Sequence, residues 1–398
     1  MDHKTNLIDW RVNPAHIVPY ENREWHKGAV VHFTPNKREL REAGLAAIAR
    51  GWLPENPIIT QDTRTLAVGS CFARNFTLWL AEHGFNKYFP ESPYNALLRN
   101  RAFFESPAVL AQQFRWAFDE LDPSTLLWID KNKNLIEATE VGKQHVRATL
   151  EQTDVLILTL GLSEVWYDIE TGEPLWRALT ADTYDPARHV FRVESVAQTM
   201  EWLEAIERLR RKHLPSMKIV FTVSPIPLAA TFRPVSAVTA NEVSKAILKA
   251  ALDEFLRRHN ELVNDQLYYF PSYEMVRNFF MDPYEEDNRH VNPIVSGAIV
   301  AFFARHYCVP QLHSREAGSL AHIHGGEAQE RFLRHAAAWR DQDNTYVLLA
   351  RIADLEEDKG RLQQICDERQ VVIDELDTAA RERLELINRL DAQLKAMR

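Results

Sequence analysis

Two apolar runs constrain the fold of this chain more than any other feature. They are VLILTL at Val155–Leu160 and KIVFTV at Lys218–Val223, and their apolar residues are continuous rather than alternating. Continuous apolarity is typical of strands that are buried on both faces, as in a parallel sheet. Shorter runs of the same character lie at Thr65–Val68 and Gln266–Phe270. We therefore predict a mainly parallel sheet built from these runs.

Helical patterns separate the runs. Phe72, Phe76 and Leu80 recur every four residues after the first run, which places them on one face of a helix. Ser195 is positioned to cap another helix, and Asn292-Pro293 is typical of a helix start. Alternation of strands and helices predicts an α/β sandwich, in which ligands bind beyond the carboxyl ends of the strands.

Composition excludes several classes of protein. The 398 residues carry a net charge of -9, which gives no indication of nucleic acid or an anionic membrane as partner. The three cysteines have no paired spacing, which argues against a disulfide framework. We find no secretory signal, no apolar stretch long enough to span a bilayer and no glycine-rich phosphate loop. We expect a cytoplasmic protein without a membrane span.

The C-terminal part has a different pattern. From Leu348 to Met397, apolar residues recur at two positions of a seven-residue repeat, with charged residues beside them. This predicts a coiled coil at residues 346–398. The alternative is a long helix folded on the body, but the apolar stripe is narrower than a globular face usually needs. We divide the chain into a domain at 1–310 with an extended N-terminal arm, a polar linker at 311–345 and the coiled coil.

The triplet Gly69-Ser70-Cys71 lies where the first predicted strand passes into a helix. A side chain there is held at the edge of the sheet, beside the free N–H groups and the positive partial charge of the helix N-terminus. These features lower the pKa of a thiol and stabilise the oxyanion of an acyl transfer. Ser70 and Cys71 are therefore candidate nucleophiles. The alternative is that small residues merely suit the turn.

Two further polar motifs follow predicted strands. Asp287 precedes His290 by three residues, a spacing at which a carboxylate can fix the tautomer of an imidazole. The segment Gly161–Glu164 directly follows VLILTL. Each of these motifs alone is weak evidence for a functional site. Together with Gly69–Cys71, they converge on one edge of the predicted sheet. That convergence predicts an active site.

Five ordered blocks resemble one known family. The stretch Gly69–Ala73 resembles the signature from which the GSCFA domain family takes its name. The other blocks are Gly161–Asp168, Val223–Pro227, Tyr269–Val276 and Asp287–His290. The resemblance covers about residues 30–310 and excludes the predicted coiled coil. It implies a relative of the SGNH (GDSL-like) hydrolases, with the three-layer α/β/α sandwich of esterases and polysaccharide O-acetyltransferases.

The resemblance also implies residue roles. His290 corresponds to the catalytic base and Asp287 to the residue that orients it. When Gly69-Ser70-Cys71 is laid on the G-D-S of those hydrolases, Cys71 takes the nucleophile position and Ser70 that of the aspartate. Because a thiol is the better nucleophile, chemistry favours Cys71 as well, with Ser70 as the rival.

The third block departs from the hydrolase pattern. Gly161–Glu164 stands where those enzymes have G-x-N-D, so Ser163 replaces the asparagine of the oxyanion hole. Asn95 is another candidate amide donor. We take Asn95, Gly161, Ser163 and Glu164 as the oxyanion and substrate-binding candidates.

We expect an acyl-transfer enzyme, first of all an O-acyltransferase acting on a polysaccharide or its precursor. Acetyl-CoA is one candidate acyl donor, and we expect neither a tightly bound cofactor nor a metal. The glycan rests on family analogy alone. The alternatives are a carboxylester hydrolase or deacetylase, and a non-catalytic glycan- or protein-binding module assembled by the coiled coil.

Other features have simpler alternatives. His322 and His324 could share one face of a strand as metal ligands, but no third ligand is evident nearby. Trp166 and Trp176 are candidates for stacking on sugar rings, with core packing as the alternative. Arg289 could meet an anionic substrate group or be a plain surface arginine.

The coiled coil predicts that the purified chain self-associates. Removal of residues 346–398 should return it to a monomer, as measured by sedimentation velocity at micromolar concentration. Lys359, Arg369 and Arg383 occupy core positions of the seven-residue repeat. Charged residues at such positions weaken the assembly and help to fix its register. A monomeric full-length chain would contradict self-association and leave only a coiled coil with a different partner.

Overall fold

A computed structural model of the chain describes residues 34–85, 105–122, 138–176, 179 and 183–309. It also describes the backbone of 12–20, 23–28, 128–129 and 135–136, and the single residue 383. For Arg41, Cys71 and Glu82 it describes the backbone only. Asn95 and the predicted linker lie outside the described residues. The same is true of the predicted coiled coil, except for residue 383.

The strands and helices alternate along most of this part. The strands are β1 (Val12–Tyr20), β2 (Arg23–Gly28), β3 (Thr65–Gly69), β4 (Trp128–Ile129), β5 (Leu135–Ile136), β6 (Val155–Leu160), β7 (Glu164–Asp168), β8 (His189–Val193), β9 (Lys218–Val223) and β10 (Leu267–Tyr269). The helices are α1 (Lys37–Ala43), α2 (Leu45–Ala49), α3 (Cys71–Glu82), α4 (Pro107–Ala117), α5 (Glu140–Gln152), α6 (Val196–His213), α7 (Ala237–Arg258), α8 (Ser272–Phe279) and α9 (Pro293–Tyr307).

The predicted parallel sheet is confirmed. Its order is β10-β9-β6-β3, and every neighbouring pair in it is parallel. The central strand β6 is buried along its whole length, as its continuous apolarity predicts. Because the strands are parallel, their carboxyl ends all meet at one edge of the sheet.

Helices cover both faces of this sheet. On one face, Leu156, Leu158 and Phe221 pack in a core cluster with residues of α4, α5, α6 and α7. On the other face, Phe76 of α3 makes edge contacts with Phe270 and with Phe303 of α9. Leu156 and Leu158, which face the first set of helices, are two residues apart, as expected for one face of a β-strand.

The predicted helix starts are also confirmed. Ser195 caps α6 and forms a capping box with Gln198, in which the side chain of each residue accepts a hydrogen bond from the backbone N–H of the other. The Asn292 side chain accepts from the N–H of Ile294, and Pro293 opens α9. These local signals are strong because a helix N-terminus leaves N–H groups that a short polar side chain can satisfy.

None of the three antiparallel strand pairs of the described residues was predicted; besides the short pair β4–β5 there are two longer hairpins. One, β1–β2, lies in the segment taken as an extended arm. The other, β7–β8, begins inside the third sequence block and pairs Glu164 with Val193 and Trp166 with Phe191. Its first strand follows the end of β6 after three residues, so it starts at the carboxyl edge of the sheet.

Helix α1 belongs to a second compact unit, separate from the unit that holds the sheet. Asn36 caps it, with Glu39 completing a capping box. Within the described residues, no helix combines the length and apolarity needed to cross a membrane.

Gly69 generates a prediction about the sheet. Its φ is +118°, and a Cβ built there would lie 2.1 Å from the carbonyl oxygen of Thr159. Gly69→Ala should lower the free energy of unfolding by about 3 kcal/mol or more, since both backbone strain and a clash with backbone result. Gly51→Ala is the matched control, because Gly51 also has a positive φ, of +83°, but nothing lies within 4 Å of its added Cβ.

We expect the control to lose only about 1 kcal/mol, the cost of the left-handed backbone alone. Urea unfolding of the two variants measures the difference. Equal losses would show that β6 does not approach Gly69 as closely as described.

Candidate active site

The turn from β3 into α3 is held by hydrogen bonds to β6. The N–H of Ser70 donates to Thr159 Oγ1 at 2.8 Å, and Thr159 Oγ1 donates to the carbonyl of Val68 at 3.1 Å. Ser70 itself is buried, and its Oγ accepts from the N–H of Phe72 at 3.2 Å while donating to Thr159 Oγ1 at 3.4 Å. The Ser70 hydroxyl therefore caps α3, and Cys71 is the first residue of that helix.

The D-x-x-H motif forms a turn between α8 and α9. Asp287 Oδ1 accepts from the N–H groups of Arg289 and His290, at 3.0 and 2.9 Å. Asp287 Oδ2 bonds Nδ1 of His290. These hydrogen bonds lower the pKa of Asp287 to about 2, and the one from the backbone N–H of His290 has the largest effect. The carboxylate is thus ionised and holds Nδ1, which leaves Nε2 as the nitrogen for acid–base chemistry.

The loop that carries this pair is docked beyond the end of β9. Tyr284 donates to the carbonyl of Pro225 at 3.0 Å, and Arg289 Nε donates to that of Pro227 at 3.2 Å. Arg289 is half-buried rather than a plain surface residue. Both His290 and Asp287 remain about half exposed, at 50% and 45% of their side chains, so the pair is accessible to a substrate.

The third motif is built into the body of the protein. The N–H of Gly161 donates to the carbonyl of Glu105 at 2.6 Å. Ser163 is fully buried, and both its N–H and its hydroxyl donate to Ser244 Oγ, at 2.8 and 3.3 Å. Glu164 is also buried and opens β7. These groups hold β6, β7 and α7 together.

Two charged residues that sequence analysis did not single out lie at the same edge. Lys245 of α7 is buried, and its amine donates to the carbonyl of Gly161. Burial lowers the pKa of Lys245 to about 7, against the opposing effect of Glu105 and Glu242. Burial raises the pKa of the Glu105 carboxyl, against the opposing charges of Lys245 and Arg289.

A signal for Lys245 was present in the sequence. It occupies the apolar stripe of α7, three and seven residues before Leu248 and Leu252, which are both buried. A lysine on the inner face of a helix is seldom buried without a charged partner. The partner, Glu105, is distant in sequence and precedes a different helix, so no spacing pattern reveals it.

The sheet order places these groups along one edge. Ser70 and Cys71 lie at the end of β3, Gly161 with Glu105 and Lys245 at the end of β6, and the D-x-x-H loop at the end of β9. The buried Lys245 and the partly buried Glu105 thus lie at the strand end between the two candidate catalytic motifs.

Metal binding has one geometric candidate in the described part of the chain. Ligand atoms of Glu285, Asp287 and His290 all lie within 4.8 Å of one another, and all three residues are exposed. In this cluster, Asp287 already accepts from the N–H groups of Arg289 and His290 and bonds Nδ1 of His290. The pair His322 and His324 lies outside the described residues.

A groove of about 1160 Å³ lies elsewhere, between α6 and the end of α7. Its walls include the hydrogen bond of His259 Nε2 with Glu204, at 2.8 Å. These helices cover a face of the sheet, and the groove contains none of the motif residues. We therefore do not place the reaction there.

Comparison with known proteins supports one assignment. The model of the GSCFA family matches residues 64–303, which is more than half of the chain. The chain belongs to the GSCFA family. The match begins just before β3 and ends inside α9, so the GSCFA domain contains the sheet, the Ser70–Cys71 turn and the D-x-x-H loop. Searches of curated proteins and of solved structures each returned no match.

Lys245 gives the GSCFA domain a testable pH dependence. In the unfolded chain a lysine keeps its proton up to about pH 10, whereas in the folded chain Lys245 loses it near pH 7. Between these values the unfolded state binds more protons, so this group makes stability rise with pH, by about 1.4 kcal/mol per unit. Lys245→Met should lack this rise.

Urea unfolding of both proteins from pH 7 to about 9.5 tests this. The free energy of unfolding of the wild type should increase relative to that of Lys245→Met. Lys249→Met, which changes a lysine of the same helix that is 40% exposed, is the matched control. A wild-type-minus-Lys245→Met difference that is flat with pH would contradict the burial of a titrating amine.

Proposed function

We propose that this GSCFA domain is an acyl-transfer enzyme with Cys71 as nucleophile, His290 as base and Asp287 as its orienting partner. The observation that carries the proposal is the Asp287–His290 pair at the same sheet edge as the N-terminus of α3. An ionised carboxylate on Nδ1 of an accessible imidazole is what a general base requires.

The hydrogen bonds at the turn favour Cys71 over Ser70. The Ser70 hydroxyl already accepts from Phe72 and donates to Thr159, so attack by its oxygen would break the cap of α3. Cys71, as the first helical residue, stands in the positive field of the helix N-terminus. That field favours the thiolate, which is the nucleophilic form.

The proposed reaction proceeds through a thioester. His290 Nε2 takes the thiol proton as Cys71 Sγ attacks the acyl carbonyl, and the leaving group departs with a proton from His290. A hydroxyl of the acceptor then attacks the thioester, gives its proton to His290, and the Cys71 thiol is restored. The acceptor would be a sugar hydroxyl of a polysaccharide or its precursor, with acetyl-CoA as a candidate donor, in the cytoplasm.

Oxyanion stabilisation rests mainly on the helix. The N–H of Phe72 is used by Ser70 Oγ and that of Ala73 by the Ser70 carbonyl, at 2.9 Å. We therefore propose the N–H of Cys71 itself as the first donor, with Asn95 as the second. The buried Ser163 hydroxyl and the Gly161 N–H serve to hold the edge of the sheet instead.

Hydrolysis is the second candidate, and one observation favours it. The side chain of His290 is half exposed, so water has access to the base. A carboxylester hydrolase would use the same residues, with water in place of the sugar hydroxyl. Release of free acid in the presence of sugar acceptors would select this alternative.

Trapping the acyl group on the protein tests the nucleophile. After reaction with p-nitrophenyl acetate, intact-protein mass spectrometry should show an acetyl adduct on the wild type that is absent from Cys71→Ala and reduced in His290→Ala. Ser70→Ala should keep the adduct and lose about 1 kcal/mol of stability with its helix cap. Cys308→Ala is the matched control, since burial raises the pKa of the Cys308 thiol to about 12 and keeps it unreactive.

An adduct that survives Cys71→Ala but is lost in Ser70→Ala would make Ser70 the nucleophile. No adduct on any form would argue for the non-catalytic binding module. Treatment with neutral hydroxylamine then identifies the bond, because it cleaves a thioester and leaves an oxygen ester intact. Loss of the acetyl mass after this treatment indicates a thioester.

A further inference from the structure

The β7–β8 hairpin presents one face that is unusually rich in aromatic rings. Trp166 lies across from Phe191 in the hairpin, and the two ring centroids are 5.5 Å apart. Tyr184, from the segment before β8, and Phe232, from the segment between β9 and α7, contact Trp166 at 5.4 and 4.9 Å. We call these four rings the aromatic face.

Part of the aromatic face is open to solvent. Tyr184 is 45% exposed and Phe232 is 51% exposed. By contrast, Trp176 is buried, and its indole N–H donates to Gln112 at 3.1 Å, so it belongs to the core. Exposed rings that pack together, from three segments of the chain, are typical of a surface that binds something.

Buried polar atoms without a hydrogen-bond partner belong to residues of the aromatic face or to their neighbours. Glu164 is on the same face of β7 as Trp166, and Arg233 follows Phe232 in the chain. Arg233 Nη1 and Glu164 Oε1 form an ion pair at 3.7 Å, which is too long for a hydrogen bond. Among the described residues, neither oxygen of Glu164, nor Nη1 of Arg233, nor Nε1 of Trp166 has a hydrogen-bond partner, although all are buried.

His189 adds a donor to the same group. It pairs with Asp168 on β7, two residues from Trp166, and its Nδ1 accepts from the N–H of Asp185 at 3.0 Å. Nε2 therefore carries the proton of the neutral ring. This buried N–H likewise has no partner within the described part of the chain.

This combination has a chemical meaning. Buried donors and acceptors without partners cost about 1–3 kcal/mol each, so proteins keep few of them. Here a carboxylate, a guanidinium and two ring N–H groups belong to residues of the aromatic face or to their neighbours on β7, on β8 and after Phe232. A sugar ring has an apolar C–H face for stacking and hydroxyls that both donate and accept, and it satisfies both kinds of group at once.

We propose that the aromatic face and the polar atoms of Glu164, Arg233, Trp166 and His189 bind a pyranose sugar. The sugar stacks on Tyr184 and Phe232, and its hydroxyls reach Glu164 and Arg233 when the loop that carries Phe232 moves away from Trp166 with its ring still against the sugar. Because β7 follows the end of β6 after three residues, the sugar lies at the candidate active-site edge. Its use as the acyl acceptor rests on the proposed function, but its binding does not.

Saturation-transfer NMR on the full chain with His290→Ala separates binding from turnover. The probes are the methyl glycosides of glucose, galactose, mannose and N-acetylglucosamine, with glycerol as a polyol that lacks a ring. We expect transfer to at least one glycoside and none to glycerol. Glu164→Gln should weaken binding about tenfold or more, because a charged hydrogen-bond acceptor is lost.

Two further variants sharpen the test. Phe232→Ser should also weaken binding, whereas Met281→Ser, which changes a residue that is 80% exposed elsewhere, should leave it unchanged. The free energy of unfolding of Glu164→Gln should not fall, because the variant removes a buried charge without a hydrogen bond. A role as a structural ion pair predicts the opposite.

Two results would overturn the proposal. One is the absence of transfer to all four glycosides, and the other is transfer that persists in both Glu164→Gln and Phe232→Ser. A sugar that binds while no acyl adduct forms on the wild type would uphold this site and reject the proposed chemistry. An adduct without sugar binding would reject this site and uphold the proposed chemistry.

Discussion

The arrangement of this protein depends on the close approach of Gly69 to Thr159. The absence of a side chain at Gly69 lets the end of β3 lie against the β6 backbone, where a Cβ would be only 2.1 Å from the Thr159 carbonyl oxygen. That approach lets Thr159 bond both Ser70 and Val68, and so fixes the angle at which α3 leaves the sheet. The position of Cys71 at the helix start follows from this contact, before any catalytic residue is considered.

Two charged residues at this edge, Lys245 and Glu105, also hold the backbone in place. Lys245 holds the carbonyl of Gly161, and the carbonyl of Glu105 holds its N–H, so the end of β6 is fixed from two sides. Burying an amine and a carboxylate is costly unless each lowers the cost of the other. Arg289 extends this cluster to the D-x-x-H loop through its charge and its bond to Pro227. Perturbed ionisable groups at the open edge of a sheet are typical of functional sites.

Sequence predicted the parts of this structure that local chemistry determines. The four apolar runs became the four strands of the sheet, and the caps at Ser195 and Asn292 lie where short polar side chains indicated them. The β7–β8 hairpin was not predicted because Gly161–Asp168, which contains β7, was interpreted as a polar sequence motif rather than as a strand. The Glu105–Lys245 pair joins residues that are 140 positions apart, and only tertiary packing brings them together. The burial of Ser163 was likewise beyond prediction, since its partner Ser244 lies on a separate helix.

The hairpin has a consequence for how such domains diversify. Its strands pair with each other and not with the parallel sheet, and the segment between them, from Ile169 to Arg188, is not part of either strand. Part of this segment is fixed in the body, because Trp176 belongs to the core and Glu173 bonds Gln112 and Arg115, whereas residues 184–187 are exposed. The exposed residues 184–187 can therefore change while the Ser70–Cys71 turn and the D-x-x-H loop stay as they are.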